Sequence, residues 1–328
     1  MRICVLGAGA VGGFIGARLA LAGVETSAVA RGATLDSLRR HGWRLESAET
    51  PDDGVASAPV RATDDAAELG VQDVVVLAVK AHAVPSTLDS LSRLVGPETA
   101  VVTALNGVPW WYFDGFGGPC EGRHLDTVDP GGRIAAAIPV ARVVGCVVDV
   151  SCSTPEPGLV HHHRGSGLIL GEPDNTDSAR VRDLVSLLRG AGLEATGSTA
   201  VQRDVWFKLW GNMTMNPVSA LTGATGDLIL DDELVMAFCN AAMREAAGIG
   251  ARIGCPIDQS PEDRNQITRK LGAARTSMLQ DAQAGRRLEL DALVGSVREI
   301  GGLLGVPTPS IDALLGLTRL SARVHGLL

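Results

Sequence analysis

Short apolar runs alternate with amphipathic stretches through the first 199 residues, and beyond Gln202 only helical spacing remains. Ile3–Leu6 is short enough for a strand buried on both faces, and it stops at Gly7-x-Gly9-x-x-Gly12. A helical pattern follows (Phe14, Leu19, Leu21), then a second apolar run ending at Ala30. Further runs at 71–79, 101–105, 143–150 and 168–170 read as strands, 179–188 as an amphipathic helix and 193–196 as a last strand. This alternation predicts an α/β fold with a Rossmann-type, doubly wound parallel sheet. The remaining chain predicts helices over 205–213, 233–253, 264–283, 288–304 and 311–324, with Gly254-Cys-Pro256 and Gly305-Val-Pro-Thr-Pro309 in the gaps. The expected organisation is a Rossmann-like domain over 1–199 and an all-α C-terminal domain over 200–328. Gly197-Ser-Thr-Ala forms the link between them.

Strand, glycine loop, helix and second strand occur in the order a dinucleotide site requires. Gly7 suits the tight turn, Gly9 lets the backbone approach a pyrophosphate, and Gly12 lets helix pack on strand. Gly7, Ala8, Gly9, Ala10, Val11 and Gly12 are therefore candidate cofactor-binding residues, with free N–H groups of the helix N-terminus facing the phosphates. The second strand ends without the carboxylate that binds an unmodified ribose, and Arg31 comes next. A guanidinium there can bind a 2′-phosphate bidentately, so the cofactor expected is NADP(H). Lys80 and Asn106 also follow strands directly, where open α/β sheets bind ligands. Lys80 could meet a phosphate or carboxylate, and Asn106 a nicotinamide amide or a substrate.

Composition narrows the class. The net charge of −8 gives no support for nucleic-acid binding, and no apolar run approaches the ~18 residues of a membrane span. With a strand expected from Ile3, no signal peptide is expected ahead of it. Six cysteines without CxxC spacing fit free thiols in a reducing cytosol, so a cytoplasmic protein is expected. Aromatics are only 3% of the chain, which leaves the core to Leu, Val, Ile and Ala. His161-His162-His163 suggests a metal, but consecutive residues of a strand point to opposite faces. The triplet reads as a strand near the sheet's edge, and no metal is expected.

The unusual stretch of the C-terminal half is Trp206-Phe-Lys208-Leu-Trp-Gly-Asn212-Met-Thr-Met-Asn216-Pro217. Lys208 and Asn212 share a helix face, and Asn216 lies four residues on. Pro217 is expected to break the helix there. Lys208, partly desolvated among apolar neighbours, could serve as a proton donor; it could equally be a surface lysine whose stem covers apolar residues. Ser277 could bond a substrate carboxylate, and Glu289 could pair with Lys208 or a cofactor ribose.

Taken in order, residues 7–12, Arg31, Lys80, Asn106-Gly107, Lys208-x-x-x-Asn212-x-x-x-Asn216-Pro217, Ser277-Met-Leu-Gln-Asp281 and Glu289-Leu-Asp291 resemble the ketopantoate reductase (2-dehydropantoate 2-reductase) family along nearly the whole chain. The resemblance implies NADPH-dependent reduction of a 2-oxo acid to a 2-hydroxy acid, with ketopantoate becoming pantoate in pantothenate biosynthesis. It implies that Lys208 protonates the ketone oxygen, that Asn106, Asn212, Asn216 and Ser277 bind substrate, and that Glu289 orients the lysine and touches the cofactor. Lys80 and Asn106 would contact NADPH. The chain departs from the family pattern twice. Residues 108–132 hold five of the eleven aromatics and could wall the active site or cover a partner, and Gly226 stands where the family has a further substrate-binding asparagine. A related NADP-dependent dehydrogenase of the β-hydroxyacid or opine type remains open, as does a non-catalytic NADPH-binding protein. The expected partner is a small 2-oxo acid, with neither nucleic acid nor membrane, and a homodimer is an option.

Overall fold

In a computed structural model of the chain, the described residues are 1–50, 52 and 54–328. They divide into two units. The first comprises Met1–Leu105 and Gly132–Val201, the second Asn106–Gly131 and Gln202–Leu328. The linear division at residue 199 thus differs from the observed one in a single large respect: Asn106–Gly131 leaves the sheet unit and packs with the helices of the second unit.

The first unit is built on ten strands, β1 (Ile3–Leu6), β2 (Thr26–Val29), β3 (Trp43–Ser47), β4 (Val55–Ala58), β5 (Arg61–Thr63), β6 (Val74–Leu77), β7 (Ala100–Thr103), β8 (Val143–Glu156), β9 (Leu159–Gly171) and β10 (Glu194–Ser198). Its helices are α1 (Ala10–Leu21), α2 (Gly32–His41), α3 (Leu88–Leu94), α4 (Arg133–Ala137) and α5 (Ala179–Gly190). The sheet order is β4-β3-β9-β8-β7-β6-β1-β2-β5, with β10 also on β9. β1 lies between β2 and β6 and is parallel to both, so the strand order reverses at β1, ahead of the glycine loop. β1, β2, β6 and β7 are buried throughout, and continuous burial is why β1, β6 and most of β7 are apolar, whereas β2 opens on buried Thr26 and Ser27.

The sheet is mixed rather than wholly parallel, because β3–β4 and β8–β9 pair antiparallel. β8 and β9 form a long hairpin with irregular register between Asp149 and Glu156. β3, β4 and β5 lack an apolar run. Trp43, Leu45 and Ser47 of β3 are buried alternately, and β4 is largely exposed, so neighbouring strands rather than local hydrophobicity set their conformation. Trp43 is fully buried on this side of the core, and its indole N–H donates to Thr26 Oγ1 at 2.9 Å.

The histidine triplet lies inside the sheet, not at its edge, since β9 pairs with β3, β8 and β10. His161 Nδ1 lies 3.0 Å from Glu46 Oε2, and His163 Nε2 lies 2.9 Å from Ser153 Oγ. His162, fully buried, contacts Ser47 Oγ through one ring nitrogen and the Gly165 carbonyl through the other. The three rings are thus committed to the hairpin and its neighbour strand, and no cluster of three or more metal-ligating side chains occurs among the described residues.

The helices of the second unit are α6 (Val201–Thr222), α7 (Gly226–Asp231), α8 (Glu233–Arg252), α9 (Pro261–Arg269), α10 (Ser277–Gln283), α11 (Ser296–Leu303) and α12 (Pro309–Val324). Two expectations fail here. The stretch 264–283 is two helices, because α9 closes before Gly272 and Thr276 caps α10 by accepting from the Leu279 N–H at 3.1 Å. α6 runs unbroken through Pro217. The proline costs α6 one backbone N–H, while Thr214, Ser219 and Thr222 bond their hydroxyls to carbonyls of the same helix. No helix among the described residues is long and apolar enough to cross a membrane.

All six cysteines are free thiols. Burial pushes Cys4, Cys239 and Cys255 up to about 11 and Cys152 up to about 12. In the unfolded chain the same thiols ionise near 9.0, so above that value the folded chain holds the additional protons. Their contribution is intact below 9.0 and declines as pH rises towards 11. Urea-unfolding midpoints are therefore expected to fall across that window, less steeply in Cys152→Ser; equal slopes for variant and wild type would refute the assignment.

Candidate active site

In the first unit, α1 begins within the glycine motif, at Ala10. Gly7 has φ +103°, and an added Cβ would lie 2.9 Å from the Ala78 carbonyl carbon and oxygen at the end of β6. A Cβ on Gly12 would lie 2.1 Å from the Gly7 carbonyl. These two positions are closed by packing. Gly9 has open space beyond its Cα, and as N-cap of α1 it supplies no side-chain cap; the first turn carries no acidic residue. An uncapped helix N-terminus beside an open cradle fits a phosphate group. Arg31 is exposed and is the N-cap of α2, immediately beyond β2. Lys80, half-buried and partnered, precedes the 3-10 turn at Ala81–Thr87 after β6.

In the second unit, α6 carries Lys208, Asn212 and Asn216, with Asn216 buried and the other two half-buried. Lys208 Nζ donates to Asn106 Oδ1 at 2.6 Å. This joins two residues 102 positions apart, and it explains why the 106–131 segment belongs with the helices. Its aromatics face inward rather than towards a partner. Trp110, Trp111, Tyr112 and Phe113 are all buried, and Tyr112 Oη donates to the Gln202 carbonyl at 2.9 Å and sits 3.3 Å from Cys255 Sγ. Burial holds the Tyr112 phenol well above its usual value, so it stays protonated and can donate. Trp210 of α6 donates to the Met243 carbonyl at 2.7 Å. The insertion thus anchors the first turns of α6, the helix that presents Lys208.

Ser277 is the exposed first residue of α10. Its neighbour Thr276 bonds the Ser219 hydroxyl, which also donates to the Asn216 carbonyl at 3.0 Å. Ser219 therefore ties the start of α10 to the asparagine turn of α6. Asp281 is buried and pairs with Arg286 at 2.9 Å, which fixes the approach to Glu289. Glu289 is buried and partnered. Gly226, the first residue of α7, has an ordinary backbone conformation. A Cβ there would meet the Gly272 and Ala274 carbonyls and Met215 Cε at 3.6–3.9 Å, ordinary contact distances, so packing does not demand a glycine.

Ser219, Thr276 and the Val108 N–H, which donates to the Ala292 carbonyl at 2.9 Å, are supports that sequence reading missed, because isolated hydroxyls and amides carry no pattern. One compositional signal was available. The chain has only three lysines, Lys80, Lys208 and Lys270, against a large majority of arginines among its 29 basic residues. Where arginine serves almost everywhere, a retained lysine points to a need for a compact ammonium.

Two family models match. Residues 3–110 fit "Ketopantoate reductase PanE/ApbA", and residues 200–322 fit its C-terminal counterpart, "Ketopantoate reductase PanE/ApbA C terminal". A 2-dehydropantoate 2-reductase of Mesorhizobium japonicum is 46% identical over 99% of each chain. A candidate ketopantoate reductase from Ralstonia solanacearum MolK2 superposes with TM-score 0.95 at 59% identity, covering 100% of this chain and 99% of that one. The 2-dehydropantoate 2-reductase of Geobacter metallireducens GS-15 shares the fold, with TM-score 0.85 at 24% identity over 98% and 100% of the two chains. With both halves matched and a full-length relative at this identity, the chain belongs to the ketopantoate reductase family, oxidoreductases that act on CH–OH groups.

Proposed function

We propose that the protein reduces 2-dehydropantoate (ketopantoate) to pantoate with NADPH, the step that serves pantothenate biosynthesis. The observation that carries this reading is the 2.6 Å bond from Lys208 Nζ to Asn106 Oδ1, which holds an ammonium on the helix that also carries Asn212 and Asn216. NADPH, when bound, supplies the hydride that reaches the keto carbon. As negative charge builds on the keto oxygen, Lys208 neutralises it by transferring a proton. Asn106 keeps the lysine in place, Glu289 orients it, and Asn212, Asn216 and Ser277 hold the carboxylate and hydroxyl groups of the oxo acid. The turn at residues 7–12, Arg31 and Lys80 would hold the cofactor, and the family resemblance assigns Asn106 and Glu289 to it as well. Arg31 suits a 2′-phosphate because no carboxylate stands at the end of β2 to repel one. The six free cysteines favour a reducing cytosol as the place of action.

Ketopantoate-dependent NADPH oxidation is expected in the purified wild type, and Lys208→Ala should lower kcat by about 10²–10⁴-fold, the usual worth of a positioned acid. A variant within about tenfold of wild type would remove Lys208 from the role. Turnover of a different oxo acid in a substrate panel, with ketopantoate inert, would transfer the reading to a related dehydrogenase. Binding of NADPH with no turnover at all would leave a cofactor-binding protein.

Arg31→Ala should reduce the preference for NADPH over NADH by about tenfold to a hundredfold, the worth of one or two charge-assisted hydrogen bonds. An unchanged ratio of the two kcat/KM values would exclude Arg31 as the discriminating group.

For a macromolecular partner we propose a second copy of the chain on α12, where Leu317, Leu320 and Val324 form an exposed apolar stripe. Sedimentation equilibrium should give a dimer mass for wild type and a monomer mass for Leu320→Arg; a monomeric wild type ends the proposal.

A further inference from the structure

The turn that follows Glu289 is not α-helical. Asp291–Gly295 is a π-turn, in which the Ser296 N–H bonds the carbonyl of Asp291, five residues back. In an α-helix that N–H would bond the Ala292 carbonyl. The carbonyl released in this way has two other donors. The Val108 N–H reaches it at 2.9 Å, and the buried Ser296 hydroxyl reaches it at 2.8 Å. Both its lone pairs are therefore used, one by the loop that follows Asn106 and one by the helix itself.

The approach is close enough to exclude any side chain. Gly107 has φ +84°, and a Cβ there would sit 2.3 Å from the Ala292 oxygen and 2.6 Å from its carbonyl carbon. The far end of the same segment is fastened to α11. The Asp126 and Thr127 N–H groups each donate at 2.9 Å to a separate oxygen of Glu299, and Thr127 Cγ2 lies 2.7 Å from where a Cβ on Gly295 would be. The segment that delivers Asn106 to Lys208 is thus clamped at both ends onto the stretch just beyond Glu289.

We infer that this π-turn is a positioning latch for the proposed proton donor, and that Ser296 is its positioning residue. The inference rests on the role proposed for Lys208. The Ser296 hydroxyl holds the side of the Ala292 carbonyl that the 296 amide would take in the α register. Without it, the turn gains a reason to rewind by one residue. The Ala292 carbonyl then leaves Val108, the loop loses the backbone bond that fastens it next to Gly107, and Asn106 is no longer held against Lys208. Ser296 touches no reacting group; it acts through one carbonyl, one amide and one amide side chain.

The test uses the full-length enzyme and three variants, Ser296→Ala, Ser296→Thr and Ser296→Cys. Two readouts need no substrate: amide hydrogen exchange at Val108, and the rate at which a lysine acylating reagent modifies Lys208, mapped by peptide mass spectrometry. Lys80 and Lys270 are internal standards for the second, since the chain has no other lysines. Ser296→Ala should speed Val108 exchange by about tenfold or more, an ordinary hydrogen-bond loss, and should raise Lys208 acylation several-fold relative to the other two lysines. With ketopantoate, kcat should fall by roughly tenfold while KM stays within about twofold. Ser296→Thr, which keeps the hydroxyl, should match wild type in all three readouts, and Ser296→Cys, a weak donor, should fall between. If Ser296→Ala does not fold, the Cys and Thr variants carry the same ordering. Val108 exchange and Lys208 acylation that follow wild type in both the Ala and Cys variants would overturn the latch. Because those two readouts are independent of turnover, an enzyme inert towards ketopantoate would refute the proposed function while leaving the latch to stand or fall separately.

Discussion

A lysine ammonium on a helix among apolar neighbours needs an acceptor, and the second unit is organised around providing one. Lys208 sits half-buried between Phe207 and Leu209, and one acceptor it finds is a side chain 102 residues earlier in the chain. Leaving such a charge without a partner in a partly desolvated position costs several kcal/mol or forces the group to lose its proton. Supplying the partner from Asn106 obliges the chain to bring a strand-end loop into the helical unit. The aromatic insertion then serves as the anchor for that loop. Tyr112 gives its hydroxyl hydrogen to the carbonyl of Gln202, one turn and a half ahead of Lys208, and four consecutive aromatics fill the space beneath. The enrichment of aromatics at 110–116 in a chain that has few elsewhere is explained by packing within the chain.

Legibility in the sequence followed burial. β1, β6 and β7 were visible because a strand covered on both faces is apolar at nearly every position, β2 was visible only through its apolar end, and the glycine loop was visible because two of its glycines are forced by backbone contacts. β3, β4 and β5 were not visible. Trp-Arg-Leu-Glu-Ser and Arg-Ala-Thr become strands because a neighbouring strand offers its edge, which is information held elsewhere in the chain. The histidine triplet was misplaced for the same reason, since nothing local reveals that β3 and β10 both pair with β9.

The candidate site divides in the same manner. Lys208, Asn212 and Asn216 are legible as a helical row at four-residue spacing, a local property. The pairing of Lys208 with Asn106 is not, because it depends on the segment 106–131 crossing from one unit to the other. Pro217 shows the opposite error. A strong local rule predicted a break, yet the helix continues, since its other residues bury a continuous face and nearby hydroxyls bond the carbonyls around the proline. Local chemistry proposes a boundary, and tertiary packing decides whether it is used.

The same logic accounts for a feature that no residue pattern announces. A π-turn is less favourable than the α-helix that surrounds it, and it persists only where something else binds the carbonyl it releases. Here that carbonyl is met by an amide from the loop bearing Asn106 and by a buried serine hydroxyl from its own helix. The irregularity, the glycine that cannot carry a side chain at 107, and the placement of the asparagine beside it are parts of one constraint. Removing the π-turn would withdraw the acceptor from Val108. Adding a Cβ at 107 would push the loop away from Ala292. In either case the asparagine that holds the ammonium would lose its support, which is why the irregular backbone, and not only the polar side chains, belongs to the description of this site.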